Sequence, residues 1–259
     1  MTQQAIDIYN EGYYHYTGTN GRVLDYSKAF EYFQKAAELG VSHAMNYLGI
    51  MYEKGRGVPF SYERAFEWFI KAGKADTGNP HAAYNAARML YDGTGVAKNM
   101  DRAFEFFKCA AMLGIGNTHS VYPQCCFYAG CILMDHYKNN AEAYAYFSEA
   151  ARYGNMPGAW HNLGWLTELG VGSSSSSGER DGKAMQFYET AANLGFAQSM
   201  DAMGRLYIGR DMQKARYWLE KAAALGYEPA RHRLAAFNSG SIFGSFKALK
   251  SLRDSLKKK

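Results

Sequence analysis

The sequence predicts an all-α protein built from about six helical hairpins stacked side by side, followed by an amphipathic C-terminal helix. Three observations predict it. An alanine followed by bulky residues at +3 and +4 and by a second alanine at +7 occurs six times along the chain. Between these copies, apolar stripes of helical spacing end in glycine-containing turns. The composition is rich in flat rings, with 21 Tyr, 15 Phe and 4 Trp, as suits wedges between packed helices, and no apolar run is long enough to span a membrane.

The repeating unit is clearest at Ala44–Gly73. Ala44, Tyr47, Leu48 and Met51 fall on one side of a first helix, helix A, and Gly49 leaves room for a neighbour to approach closely. Gly55 and Gly57 end that helix and Pro59 discourages its continuation. Ser61 is the expected N-cap of a second helix, helix B, which carries Ala65, Trp68, Phe69 and Ala72. The small alanines let helix A sit close, and Trp68 and Phe69 are expected to fill the space between hairpins. Neither helix buries its apolar side alone, so stacking is required.

The same register mark appears in order as Ala29, Tyr32, Phe33, Ala36; Ala65, Trp68, Phe69, Ala72; and Ala103, Phe106, Phe107, Ala110. It returns as Ala143, Tyr146, Phe147, Ala150; Ala184, Phe187, Tyr188, Ala191; and Ala215, Trp218, Leu219, Ala222. The spacing of the lead alanines varies, so the variation belongs to loops. Gly40, Gly114, Gly154, Gly195 and Gly226 stand where helix C-caps belong. The expected repeats are 5–41, 43–80, 81–122, 124–157, 158–197 and 198–228, with a partial seventh A helix at 229–239. These make one array, 1–239. Repeat one carries Tyr9, Tyr13 and Tyr16 on one stripe, and repeat five holds a serine run, Gly170–Gly182, expected as a mobile loop between its helices.

The pattern A-x-x-Y-L-G-x-x-Y-x-x-G-x-G-V, a short loop, then K/R-A-x-x-W/Y-F/Y-x-K-A-A-x-x-G resembles the Sel-one-like repeat, a relative of the tetratricopeptide repeat. It covers nearly the whole chain, and repeats two and three match best. Repeat one has Glu11-Gly12 in place of Leu-Gly, repeat four lacks the Gly-x-Gly-Val loop, and repeat six shortens it to Ile208–Asp211. The resemblance implies antiparallel helix pairs in a right-handed superhelix, with a concave face lined by A helices, in a bacterial adaptor. Some secreted members staple each hairpin with a disulfide, which needs a cysteine pair in every repeat. Here Cys109, Cys125, Cys126 and Cys131 cluster around one repeat junction, so reduced core thiols are expected. A zinc site is disfavoured, because adjacent cysteines on a helix point about 100° apart and no C-x-x-C is present.

Residues 1–12 enter the first repeat with neither a basic start nor an apolar segment, so a cytoplasmic protein is expected. Residues 240–259 change character. Ile242, Phe246, Leu249, Leu252 and Leu256 form one stripe among Lys247, Lys250, Arg253 and Lys257. This tail holds the whole net charge of +5, which leaves the array neutral and argues against a nucleic-acid surface along it. The tail is expected to cap the last repeat. The alternative is a membrane-surface or partner-binding helix.

Phosphate loops, nucleophile elbows and paired metal-ligand motifs are absent from the sequence, and no enzyme or cofactor is expected. His161 and Glu168 lie two turns apart on one helix, about 10 Å by helical rise, too far for a direct acid–base pair. In the arrangement the resemblance implies, the groove falls on A helices. Registered on Gly49, it comprises Asn46, Ile50 and Glu53; Tyr84, Arg88 and Tyr91; Phe127, Cys131 and Met134; His161, Trp165 and Glu168; and Asp201 and Arg205. The aromatic members suit a bound peptide or helix from a protein partner. Against this stands a register displaced by one helical position, which turns some of these residues into packing between repeats.

Overall fold

The computed structural model of the chain describes residues 2–74, 78–114, 121–172 and 176–239. Among them the regular structure is helical throughout, in thirteen α-helices. The first seven are α1 (Gln3–Thr17), α2 (Tyr26–Glu38), α3 (Ser42–Lys54), α4 (Tyr62–Lys74), α5 (Pro80–Asp92), α6 (Met100–Gly114) and α7 (Tyr122–Asp135). The others are α8 (Asn140–Gly154), α9 (Pro157–Glu168), α10 (Ser177–Asn193), α11 (Ala197–Tyr207), α12 (Met212–Ala224) and α13 (Glu228–Asn238). Odd-numbered helices are the A helices of the repeats and even-numbered ones the B helices. The expected tail helix at 240–259 lies outside the described residues.

The chain packs as two compact units, Met1–Asn139 and Asn140–Lys259, and the division falls between the two helices of repeat four. In the first unit, α1 with α2, α3 with α4 and α5 with α6 form the hairpins, and each B helix also touches the A helix that follows it. The second unit repeats the scheme from α8 through α13. Every lead and +7 alanine of the six copies is fully buried, so the small residues mark the line of closest helix approach.

In repeats one, two, five and six the +4 residue of helix B holds the hairpin together. A Cβ added at Gly49 would meet the Phe69 ring of the same hairpin at 2.5 Å, and one at Gly12 would meet the Phe33 ring at 2.9 Å. Gly164 stands in the same relation to Tyr188, and Gly204 to Leu219. Glu11-Gly12 in repeat one therefore keeps the residue that matters. The other face of the ring is covered by the next A helix where that helix offers an aromatic: Phe33 stacks on Tyr47 with centroids 4.9 Å apart, and Phe107 on Tyr128 at 5.0 Å. Phe69 thus fills its own hairpin, whereas Trp68, half-buried, lies against the clusters of both repeats one and two.

The turns explain the Gly-x-Gly motif. Gly55 and Gly93 take the left-handed conformation that ends an A helix. The second glycine is left-handed too and also rests on the preceding repeat. A Cβ at Gly57 would stand 2.6 Å from the Tyr26 carbonyl, and one at Gly95 2.2 Å from the Tyr62 Cβ. B helices open on Asp25, Ser61, Asn99 and Asp211, whose side-chain oxygens accept backbone N–H groups three residues on at 2.9–3.2 Å. B helices close with a left-handed glycine at Gly40, Gly195 and Gly226. Gly154 differs: it is still helical, and Asn155 takes the left-handed position.

Repeat five corrects one expectation. Residues 170–182 do not form a loop throughout, because α10 begins at Ser177. The reason is a capping interaction, in which the Glu179 carboxylate accepts the Ser176 backbone N–H at 2.9 Å and its hydroxyl at 3.0 Å. None of the four cysteines is in a disulfide. Cys125 and Cys126 are buried as expected, and burial pushes the Cys125 thiol well above its ordinary range, but Cys109 is exposed.

Two glycine substitutions separate packing from propensity. Gly49→Ala is expected to lower stability by about 1–3 kcal/mol, since its methyl meets a fully buried ring. Gly182→Ala, in a helix with open space around the new methyl, is expected to raise stability by up to about 1 kcal/mol. Denaturant titration of both variants checks the opposite signs.

Candidate functional site

The A-helix positions singled out in the sequence separate into three rows when followed from repeat to repeat. In the first row, Asn46, Tyr84, His161 and Asp201 face the following A helix, and Phe127 meets the Tyr128 ring edge-on. Asn46 is buried and accepts from the Asn85 amide at 3.4 Å. His161 shares a 2.9 Å hydrogen bond with the Ser199 hydroxyl through Nδ1 and packs against the rings of Tyr188 and Phe196. Asp201 is buried and accepts two bonds from Arg233 at 2.6 and 2.8 Å. Burial outweighs that attraction and raises the Asp201 carboxyl above its usual range. Tyr84 is half-buried against Phe107 and Tyr128, which lifts its phenol to about 12. Asn46 and Asp201 therefore belong to packing between repeats rather than to an open groove, which is the displaced register weighed above.

The second and third rows interlock. Glu53 on α3 accepts from Arg88 on α5 at 2.5 Å, and Glu168 on α9 accepts from Arg205 on α11 at 2.6 and 2.8 Å. The two pairs occupy equivalent places, one in each unit. Both carboxylates are largely covered, so these pairs are less screened than ordinary surface ion pairs. In the second unit the Tyr188 hydroxyl adds a bond to Glu168 at 2.6 Å, which ties helix B to both A helices. Sequence reasoning placed these acids and bases on one face but missed their pairing. The signal was present as a Glu on one A helix and an Arg on the next, one repeat later.

Tyr91 packs edge-on against Tyr128 at 5.2 Å and also meets Phe107. Ile50, Phe127, Cys131 and Met134 are half-buried. Trp165 is different. Its relative exposure of 40% makes it the most open aromatic of the expected set, and it sits one turn before Glu168. The surface left open is therefore a single tryptophan beside a fixed ion pair in the second unit, and in the first unit the half-buried side chains around the Glu53–Arg88 pair.

Among the described residues no cluster of His, Cys, Asp or Glu is placed to hold a metal, and no helix is long and apolar enough to cross a membrane. The geometry defines a helical-hairpin repeat protein in which Glu53, Glu168 and Asp201 are each occupied by an arginine of the next A helix. The model of the Sel1 repeat matches residues 8–41, 42–76, 80–115, 125–155, 161–196 and 200–227, and the chain belongs to this family. Sel1 repeat proteins generally mediate protein–protein interaction and are typically non-enzymatic scaffolds.

Among solved structures, the chain is similar to a protective antigen present in uropathogenic Escherichia coli strains and displaying the same repeat fold. The TM-score is 0.76 at 24% identity, with 90% of this chain and 48% of that one covered. This chain thus spans about half the length of that antigen. It is also similar to a Sel1 repeat protein from Oxalobacter formigenes (TM-score 0.62, 27% identity, 87% and 91% covered). A third similar structure is Pseudomonas aeruginosa pilF (TM-score 0.59, 18% identity, 88% and 97% covered). A search of curated proteins found no match.

Burial lowers the His161 imidazole to about 4 in the folded chain, while an unfolded chain restores about 6.5. Between those values the unfolded state binds the extra proton, so stability is complete above pH 6.5 and falls as pH drops towards 4. The loss is expected to reach up to about 3 kcal/mol. His161→Gln should remove that part of the slope, which denaturant titrations of both proteins between pH 4 and 7 will read.

Proposed function

We propose that the protein is a non-catalytic scaffold that holds a peptide or helix of a protein partner on its A-helix surface. The observation that carries this reading is Trp165, open to solvent on an A helix whose other large side chains are packed or paired. An exposed tryptophan beside a rigid, partly desolvated ion pair is the kind of anchor that dominates protein interfaces. The Glu168–Arg205 pair presents fixed hydrogen-bonding edges next to it. The surface is preorganised, because both side chains are already held, and binding then costs little ordering entropy.

In the first unit the corresponding contacts are Ile50, Glu53, Tyr84, Arg88, Tyr91, Phe127 and Met134; in the second they are His161, Trp165, Glu168 and Arg205. Tyr84 and His161 act there mainly by shaping the surface, since each is largely engaged with the next repeat.

The test is a quantitative pull-down from native lysate with wild type, Trp165→Ala and Tyr217→Ala. Tyr217 is comparably exposed but lies on a B helix, so it controls for loss of any surface aromatic. A partner retained by wild type and by Tyr217→Ala but reduced at least about tenfold by Trp165→Ala, with unchanged circular dichroism, supports the A-helix surface. Equal recovery by all three proteins overturns it.

A further inference from the structure

α13 is an A helix that lacks its helix B among the described residues, and its open side records the shape of the missing element. In five of the repeats the slot residue on helix A is buried against the helix B of the same unit: Gly12, Gly49, Ala87, Gly164 and Gly204. In four of them a ring or leucine at the +4 position of helix B lies where a slot Cβ would stand. The equivalent residue on α13 is Ala235, and it is exposed. Leu234 and Phe237, whose counterparts Leu48 and Met51 are fully buried in repeat two, are only partly covered.

The residues that follow carry the register of a B helix. Lead alanines Ala29, Ala65, Ala103 and Ala215 each lie four residues after a capping Asp, Ser or Asn. Ser241 and Ser245 reproduce that pair, with a good N-cap and a small lead residue. At +1 from the lead, five of the six repeats place a large apolar side chain, Phe30, Phe66, Phe104, Tyr144 or Met185, and here Phe246 follows. At +4 comes Leu249, the counterpart of Leu219, which fills the slot at Gly204. Lys247 falls at +2, where all six repeats are exposed. One position departs: Leu252 stands at +7, where six repeats have a buried alanine, so the hairpin must splay at that end.

We propose that residues 242–256 form the second helix of a seventh hairpin, docked on α13 of the same chain with Leu249 in the slot over Ala235. The apolar stripe of the tail is thereby consumed inside the protein, and its lysines and arginine remain as a solvated basic edge. This inference stands independently of the partner surface, since it concerns α13 and the tail alone.

Hydrogen–deuterium exchange on the full chain tests it with wild type, Leu249→Asp, Ala235→Arg and Lys247→Asp. In wild type, amides of 245–255 are expected to be protected together with those of 231–238. Leu249→Asp and Ala235→Arg should each speed exchange in both segments by about tenfold or more, because the opening of one docked helix exposes the other. Ala235 is exposed, so its substitution does not disturb the rest of the core. Lys247→Asp should leave both segments unchanged. Exchange of the wild-type tail at the rate of an unstructured peptide overturns the proposal. So does a tail variant that leaves α13 unaffected, protection that grows with protein concentration and so reports docking on a second copy, or protection that arises only with anionic phosphatidylglycerol vesicles.

Discussion

The hairpins of repeats one, two, five and six depend on one contact, the side chain at +4 of helix B pressed into a gap that a glycine leaves on helix A. The contact is demanding because it works in both directions. The bulky group must be large enough to fill the gap, and the opposite helix must have almost nothing there. Fully burying a side chain such as Phe33 or Phe69 contributes on the order of 2–3 kcal/mol, and it also sets the distance between the two helices. The flanking alanines at the lead and +7 positions then seat the rest of helix B against helix A. A single rule of small against large thus generates the hairpin.

The same ring transmits the hairpin to its neighbour. Phe33 and Phe107 turn their free faces to Tyr47 and Tyr128 on the next A helix, so the interior of one repeat is the foundation of the next. Polar pairs add specificity to this apolar contact. Glu53 with Arg88 and Glu168 with Arg205 form only when adjacent A helices are in register, because a slip of one residue moves a side chain about 100° around its helix. Largely covered pairs of this kind contribute less to net stability than to the choice of one arrangement over others. The Gly-x-Gly turn acts in the same way at the hairpin ends, where a missing Cβ lets Gly57 and Gly95 lie on the preceding B helix.

Much of this was legible in the sequence because a repeated chain states its constraints several times over. The six alanine registers, the slot glycine at Gly49 and the Ser61 cap were read correctly from spacing alone. The candidate surface was harder to read. Registering on Gly49 picked out equivalent positions on successive A helices, but it could not separate Asn46 and Asp201, buried against the next helix, from Trp165, which is open. That distinction depends on which residue the neighbouring repeat presents, Asn85 or Arg233 in the first case, whereas Trp165 is left 40% exposed. The end of the serine run misled for a different reason, while residues 173–175 lie outside the described residues. Composition argued for a loop, while one Glu179 carboxylate positioned to receive Ser176 was enough to extend α10 backwards.

The economy of the A-helix surface bears on how recognition works. Most side chains that face outward from these helices are already engaged: Arg88 and Arg205 with carboxylates, Tyr84 and Tyr91 with a ring stack, His161 with Ser199. A partner bound there as proposed would meet a surface whose rotamers are settled, and it would not have to break the internal pairs in order to bind beside them. The energetic consequence is asymmetric. Truncating a paired residue would disturb the stacking of repeats and act on the proposed binding only indirectly, through a shifted helix. Truncating the indole of Trp165 removes contact area while leaving the helix positions unchanged. Within the second row the two kinds of position alternate: Arg88 and Arg205 are held by carboxylates of the neighbouring A helix, whereas Trp165 between them in the sequence stays open.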